Sequence, residues 1–188
     1  MRFKPDDEVY VKKLLLFAGL PGVGKSTISK EVRKKTGAKI VDLDDFKKTE
    51  VDPTLVTKEI DPPELRWSYY QKALEYVFGL FDQGVSTVIM DEVFHLQSLR
   101  FQLESLCAEQ SVEVLWVEVR CPYPTVKDRL QSMSREGHIL STEEALRMNR
   151  MFEEIFETFS AHDPNHIVIS NENDANMDTL VENILQRS

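Results

Sequence analysis

Residues 14–32 read LLLFAGLPGVGKSTISKEV. Leu14–Ala18 is a short apolar run of buried-strand character. It enters a glycine-rich turn and then a stretch with helical patterning. Gly19, Gly24, Lys25 and Ser26 stand at the G-x-x-x-x-G-K-[ST] spacing of a phosphate-binding loop. Each position has a physical reason. Glycines let the backbone curl until successive N–H groups point inward at an anion. The helix that follows adds unpaired N–H groups and the positive end of its dipole. Pro21, Gly22 and Val23 fill the cradle between the fixed glycines. Lys25 reaches the β- and γ-phosphates of a bound nucleotide, the Ser26 hydroxyl is placed to ligate Mg²⁺, and Thr27 to touch the α-phosphate. At average residue usage the four fixed positions match by chance on the order of once per tens of thousands of positions. The bland alternative is a glycine turn between strand and helix with no ligand.

Working outward, apolar strands alternate with helical segments. Residues 1–13 read as a polar arm. Ala38–Leu43 is a second strand ending in Asp44-Asp45-Phe46-Lys47, followed by a polar, proline-interrupted loop or short helix over Thr49–Glu59. Asp61-Pro62-Pro63-Glu64 reads as a helix start, with Asp61 as N-cap. Apolar residues at helical spacing then run to about Phe81. Ser86–Met90 is the third strand and leads into Asp91-Glu92, with an amphipathic helix expected over Phe94–Glu109. Ser111–Val119 is the fourth strand. Pro122 and Pro124 open a helix to about Met133, and Ser141 with Glu144 forms a capping box for another reaching roughly Ser160. His166–Ser170 is the fifth strand and Ala175–Gln186 the last helix. The order implies an α/β fold of three layers, a five-stranded parallel sheet with helices on both faces, in one domain over 14–188. Sites in such sheets lie beyond the carboxyl ends of the strands. Gly19–Ser26, Asp44–Lys47 and Asp91-Glu92 then share one rim.

Composition sets outer limits. The 188 residues suit one domain with a sizeable core. Hydrophobic content of 41% and charged content of 29% are those of an ordinary globular chain. No apolar run is long enough for a bilayer, and acidic residues interrupt any leader pattern at the N-terminus, so the expected compartment is the cytoplasm. Cys107 and Cys121 lack metal-ligand spacing and read as reduced thiols. The net charge of −9 counts against nucleic acid or anionic membrane as a partner.

With these features in place the chain resembles the small P-loop kinases: polynucleotide 5′-kinases, zeta-toxin-type kinases, chloramphenicol phosphotransferase, and gluconate or shikimate kinases. The resemblance spans the element order from Leu14 to Gln186. It implies ATP with Mg²⁺ as cofactors and a hydroxyl of a small molecule or nucleoside-type compound as acceptor. In those families an Asp just after the second strand faces the acceptor hydroxyl; Asp44 in LDDFK matches it, with Asp45 beside it. Lys47 stands where polynucleotide kinases carry Arg, a departure from a strict polynucleotide-kinase pattern because Lys lacks the planar fork. Arg129 and Arg135, in VKDRLQSMSREG, match the arginines of a lid, here near 130–142, that clamp the transferring phosphoryl group. Asp91 takes the place of a Walker B-like acid that holds an Mg²⁺-bound water.

Other residues carry weaker signals. Asp44, Asp45 and Asp91 also read as helix caps, and Arg129 and Arg135 as surface charges. Arg100, on the helix after the third strand, reads as an exposed helical charge, with contact to the acceptor as the alternative. Trp67, Tyr69 and Tyr70 lie where such kinases bind the acceptor, although core packing explains aromatics at this spacing. His162 and His166 flank Asp163-Pro164 in what reads as a surface loop. Asn171-Glu172-Asn173-Asp174 sits where GTPases carry N-K-x-D, but Glu172 replaces the lysine, so the segment is expected to line the adenine end. Two rival functions stay open: a regulatory ATPase that signals to a partner, and a polynucleotide 5′-hydroxyl kinase.

Overall fold

The structure is a computed structural model that describes residues 11–50, 60–132, 141–172 and 175–188, with 48–50 described by backbone alone. Most of the expected N-terminal arm, residues 51–59 of the polar loop, Arg135 with most of the expected lid, and Asn173-Asp174 lie outside the described residues.

Five strands form one parallel sheet: β1 (Lys12–Ala18), β2 (Lys39–Asp42), β3 (Thr87–Asp91), β4 (Val112–Arg120) and β5 (His166–Ser170). Their spatial order is β2-β3-β1-β4-β5. Among the described residues seven helices connect them: α1 (Lys25–Thr36), α2 (Leu43–Glu50), α3 (Pro63–Asp82), α4 (Gln97–Glu109), α5 (Tyr123–Ser132), α6 (Thr142–Ile155) and α7 (Met177–Leu185). This is the three-layer α/β fold that the alternation of elements predicts. No helix among the described residues is long and apolar enough to cross a membrane.

The apolar runs work because β1 lies at the centre of the sheet and is covered on both sides. Its side chains alternate between two cores. Leu14, Leu16 and Ala18 pack with Tyr69, Tyr70 and Leu74 of α3, Leu103 of α4 and Trp116 of β4. Leu15 and Phe17 pack with Ile28 and Val32 of α1, Val126 of α5 and Val181 of α7. Val88 and Met90 of β3 face the first core and Ile89 the second. The same parity sends Asp91 toward α1 and Glu92 toward α3.

Several boundaries differ from the sequence expectation. β1 begins at Lys12 rather than Leu14, because Lys12 and Lys13 continue its pairing with Val112 and Glu113. α2 starts at Leu43, directly off β2, where the Asp42 carboxylate accepts the Asp44 N–H at 2.9 Å. Pro62, not Asp61, is the N-cap of α3; Asp61 instead turns inward to the Lys47 ammonium at 2.5 Å. α4 starts at Gln97, since 93–96 are irregular backbone, buried at 93–95, with Phe94 at φ 51°. The Ser141–Glu144 capping box forms as expected. α6, however, stops at Ile155 instead of near Ser160. The backbone beyond it is claimed by tertiary bonds: Glu157 N–H donates to His95 O at 2.9 Å, and Arg100 holds the carbonyls of Glu157 and Thr158.

Candidate active site

The loop between β1 and α1 closes over the carboxyl end of the sheet. Gly19 (φ 142°) and Gly24 (φ 98°) both occupy left-handed backbone space. A Cβ at Gly19 would collide with the Val119 carbonyl and one at Gly24 with the Asn171 amide, so glycine is required twice over. Gly24 is also the N-cap of α1, and no side chain caps the helix or places an acid in its first turn. The free N–H groups there remain available to an anion. Two buried amides hold the loop from outside: Asn149 of α6 donates to Pro21 O at 2.7 Å, and Asn171, after β5, to Val23 O at 2.8 Å.

Lys25, Ser26 and Asp91 meet across this loop. Ser26 Oγ donates to Asp91 Oδ2 at 2.6 Å, and Lys25 Nζ lies 3.9 Å from Asp91 Oδ1. Lys25 Nζ also donates to Gly19 O at 2.9 Å and Leu20 O at 3.2 Å. Burial pushes the Asp91 carboxyl up in pKa, against the pull of Lys25 and the Ser26 hydroxyl. Asp42 stands opposite Asp91 in the β2–β3 register, and its charge raises Asp91 further. Sequence reasoning missed Asp42. The signal was present as the acid two residues before Asp44, on the same strand face as its register partner. Asp44 and Asp45 occupy the first turn of α2, beside Asp42.

Glu92 opens toward α3. Arg66 Nη1 donates to Glu92 Oε1 at 2.7 Å. Burial alone would raise the Glu92 carboxyl, but the adjacent guanidinium, with Lys25 behind it, holds it below the usual carboxylate range. Arg66 answers in kind: burial works against its charge, and Glu92 raises its pKa nonetheless. The Arg66 guanidinium lies 5.2 Å from the Phe152 ring centroid, and the His95 ring packs edge-on to the same ring at 4.9 Å. Burial, with Arg66 nearby, drives the His95 imidazole down to about 4, so it is neutral at physiological pH. Lys47 is paired with Asp61, which the Tyr69 hydroxyl also meets at 3.4 Å. Tyr69 and Tyr70 are core residues, as their spacing suggests, with phenols raised in pKa by burial.

Of the two expected lid arginines, Arg129 is described. It donates to Glu172 O at 2.9 Å and to Cys121 Sγ at 3.6 Å, against the loop at Gly24. Arg135 lies outside the described residues. Arg100 is not the exposed helical charge expected from its sequence setting: it is buried, donates to Phe94 O at 2.7 Å and stacks 4.1 Å over Phe159. Its partners arrive from the distant 156–160 segment, which no helical periodicity reveals. His166 opens β5, where the reading of His166–Ser170 as the fifth strand puts it, meets Glu118 at 2.9 Å and stacks on Phe159. Among the described residues no group of three or more His, Cys, Asp or Glu side chains could hold a metal ion by itself. A hard cation beside Ser26 and Asp91 would therefore draw ligands from phosphate and water too.

The sequence model of the AAA domain family matches residues 14–155. No curated protein matches the sequence. Among solved structures the chain is similar to a sugar kinase from Janibacter sp. HTCC2649, with 20% identity and a TM-score of 0.70 over 94% of this chain and 93% of that one. It is also similar to a gluconokinase from Sinorhizobium meliloti 1021, with 14% identity and a TM-score of 0.68 over 95% and 92%. An APS kinase from Mycobacterium tuberculosis, solved with AMPPNP and APS, matches at 13% identity and a TM-score of 0.58 over 95% and 98%. At these identities the shared property is the fold.

Proposed function

The chain belongs to the AAA domain family, and from that premise we propose that it is an ATP-dependent phosphotransferase that moves the γ-phosphoryl group to a hydroxyl of a small molecule. The observation that carries the proposal is the meeting of Ser26 Oγ and Asp91 Oδ2 at 2.6 Å beneath Lys25, with Asp42 and Asp44 on the same rim. A passive glycine turn gives no reason for that convergence of carboxylates on a loop lysine. The kinases among the structural neighbours support it, one of them solved with an ATP analogue.

In this reading Gly19, Pro21, Gly22, Val23, Gly24, Lys25, Ser26 and Thr27 wrap the triphosphate. The backbone N–H groups of the loop and α1 bind its oxygens, and Lys25 neutralises the β- and γ-phosphates. Ser26 and Asp91, with Asp42 beside them, supply hydroxyl and carboxylate oxygens, a donor set that fits Mg²⁺. When bound, that ion would neutralise charge on the phosphate oxygens. Asp44 orients the acceptor hydroxyl and takes its proton. The acceptor oxygen bonds to the γ-phosphorus as the bond to the β,γ-bridging oxygen breaks, and ADP leaves with that electron pair. Arg129 and Arg135 stabilise charge on the phosphoryl group in flight. A lid near 130–142 would exclude water and suppress hydrolysis. The reading carries with it a cytoplasmic setting, a single domain over 14–188, and no nucleic-acid partner.

The test is coupled ADP release with ATP, Mg²⁺ and a panel of hydroxylated acceptors. Lys25→Ala is expected to lower turnover by about 10²–10³-fold, and Asp44→Asn by about 10²–10⁴-fold. Acceptor-dependent turnover that survives Asp44→Asn removes Asp44 as the base. ATP hydrolysis that no acceptor stimulates favours a regulatory ATPase instead.

A further inference from the structure

The helix that carries Asp44 is short. α2 has eight residues, Leu43–Glu50, and an isolated helix of fewer than about 12 residues is marginal in water. Its direction and rotation come from tertiary anchors instead. One anchor lies at its start: Leu43 is 1% exposed, and the Asp42 carboxylate accepts the Asp44 N–H at 2.9 Å. That fixes where the helix begins but not how it lies on the sheet.

The second anchor is one turn further on. Phe46 packs on Tyr76 of α3, with ring centroids 5.8 Å apart. Beside it Lys47 Nζ lies 2.5 Å from Asp61 Oδ2. Asp61 is buried just ahead of α3, its side chain 5% exposed, and the Tyr69 hydroxyl donates to the same oxygen at 3.4 Å. Tyr69 is a core residue of α3. The ion pair thus ties α2 to the interior of the domain. Ring contacts permit sliding, whereas a charge-assisted hydrogen bond is short and directional. Opening this one would strand a buried carboxylate. Lys47 and Asp44 are three residues apart, so they lie a turn apart on one face of α2. Whatever holds Lys47 sets the rotation that aims Asp44. The same bond commits the Lys47 ammonium, which an anionic acceptor could recruit only by displacing Asp61.

We infer that Lys47 and Asp61 are positioning residues: their ion pair locks α2 onto α3 and so aims Asp44 at the acceptor hydroxyl, while Lys47 makes no contact with the acceptor. The inference rests on the phosphotransferase reading above, in which Asp44 is the base. The phosphate loop is built from β1 and α1, so releasing α2 leaves ATP binding as it was.

Asp61→Asn in the full chain releases the latch with little change of shape, and two readouts follow it. Hydrogen exchange by mass spectrometry needs no acceptor: the amides of 43–47 are expected to exchange about tenfold faster or more, with those of α1 and the calorimetric ATP affinity unchanged. ADP release is then measured with ATP, Mg²⁺ and a panel of sugars, sugar acids and nucleosides. A reacting group misplaced by about 1 Å loses about 10²-fold in rate, so kcat is expected to fall about 10–10²-fold with both KM values within about twofold of wild type. Lys47→Met is expected to match this, and Lys47→Arg, which keeps the pair, to retain most of kcat. In an Asp44→Asn background Asp61→Asn should lower kcat by less than about twofold more, because no base remains to be aimed. Lys47→Met/Asp61→Leu strands no charge and carries both readouts should the single variants not fold. Unchanged exchange over 43–47 overturns the latch. A raised acceptor KM in Lys47→Met that Asp61→Asn does not share overturns it as well and makes Lys47 an acceptor contact. Full additivity with Asp44→Asn overturns the positioning role and leaves the phosphotransferase reading intact. A wild type that binds ATP but transfers to no member of the panel overturns that reading and the aiming of Asp44 with it; the latch between α2 and α3 then stands or falls on exchange.

Discussion

Arg66→Met tests the buried ion pair that holds Glu92. Arg66 Nη1 lies 2.7 Å from Glu92 Oε1, with side-chain exposures of 4% and 17%. Methionine keeps much of the volume under Phe152 but removes the charge. Glu92 is then a carboxylate in the interior without its hydrogen-bonded counter-ion, at a cost of about 3–5 kcal/mol. For a domain of this size each kcal/mol moves the melting point about 2–4 °C, so the variant should melt about 6–20 °C lower at neutral pH. The pH dependence fixes the cause. In the wild type the Glu92 carboxyl is held low, so the pair's contribution is present above the ordinary carboxylate range and fades as pH falls through the depressed value. In Arg66→Met burial pushes the carboxyl up against only the weaker pull of Lys25 and the Val93 backbone bond, so the variant regains stability by taking a proton as pH falls from 7 toward 5. The deficit is therefore largest at neutral pH and shrinks on acidification. Arg66→Met/Glu92→Leu should recover most of the loss, because removing both charges leaves neither stranded. Urea titrations at pH 7.5, 6 and 5 measure all of this. A deficit under about 1 kcal/mol, or one that deepens toward acid, refutes the electrostatic account of this site.

Two further perturbations address the loop. Gly24→Ala places a Cβ against the Asn171 amide at a left-handed position; it is expected to cost about 1–3 kcal/mol and to weaken calorimetric ATP binding more than tenfold. Asn149→Leu withdraws the donor from Pro21 O; a loss of about 1–3 kcal/mol in urea is expected, together with weaker nucleotide binding at unchanged circular dichroism.

The fold was legible because its signals are local. Leu14–Ala18 is wholly apolar since β1 is covered on both faces, and Ser141 with Glu144 announces a helix start through bonds within four residues. The phosphate loop was legible for the same reason: its glycines answer to backbone angles that short spacing encodes. The surroundings of Glu92 and Arg100 were not. Arg66 reads as an ordinary helical arginine until β3 brings Glu92 to it, 26 positions on. Arg100 looks like surface charge until the 156–160 segment lays carbonyls and a ring over it. Asp61 carries every local mark of an N-cap, yet a buried ion pair with Lys47 outweighs the cap. In each case a long-range electrostatic contact overrides a local propensity worth about 1 kcal/mol.

The two acids at the end of β3 tie these threads together. Successive residues at the end of a strand leave on opposite sides of the sheet, so Asp91 and Glu92 take different hydrogen-bond partners, although the Lys25 charge acts on both. Asp91 goes to the α1 side, where Ser26 and Lys25 wait, and Glu92 to the α3 side, where Arg66 does. Their environments pull them apart: burial leaves Asp91 raised, while the guanidinium leaves Glu92 lowered. One dipeptide thereby sets two electrostatic environments within a residue's length, one beside the loop lysine and the other paired with a buried guanidinium. Exchanging the two residues, Asp91→Glu with Glu92→Asp, preserves the net charge but alters the reach of each carboxylate. If the division is what matters, the exchange should impair nucleotide turnover and lower the melting point together. Full activity in the exchanged protein would mean that only the summed charge of the rim counts.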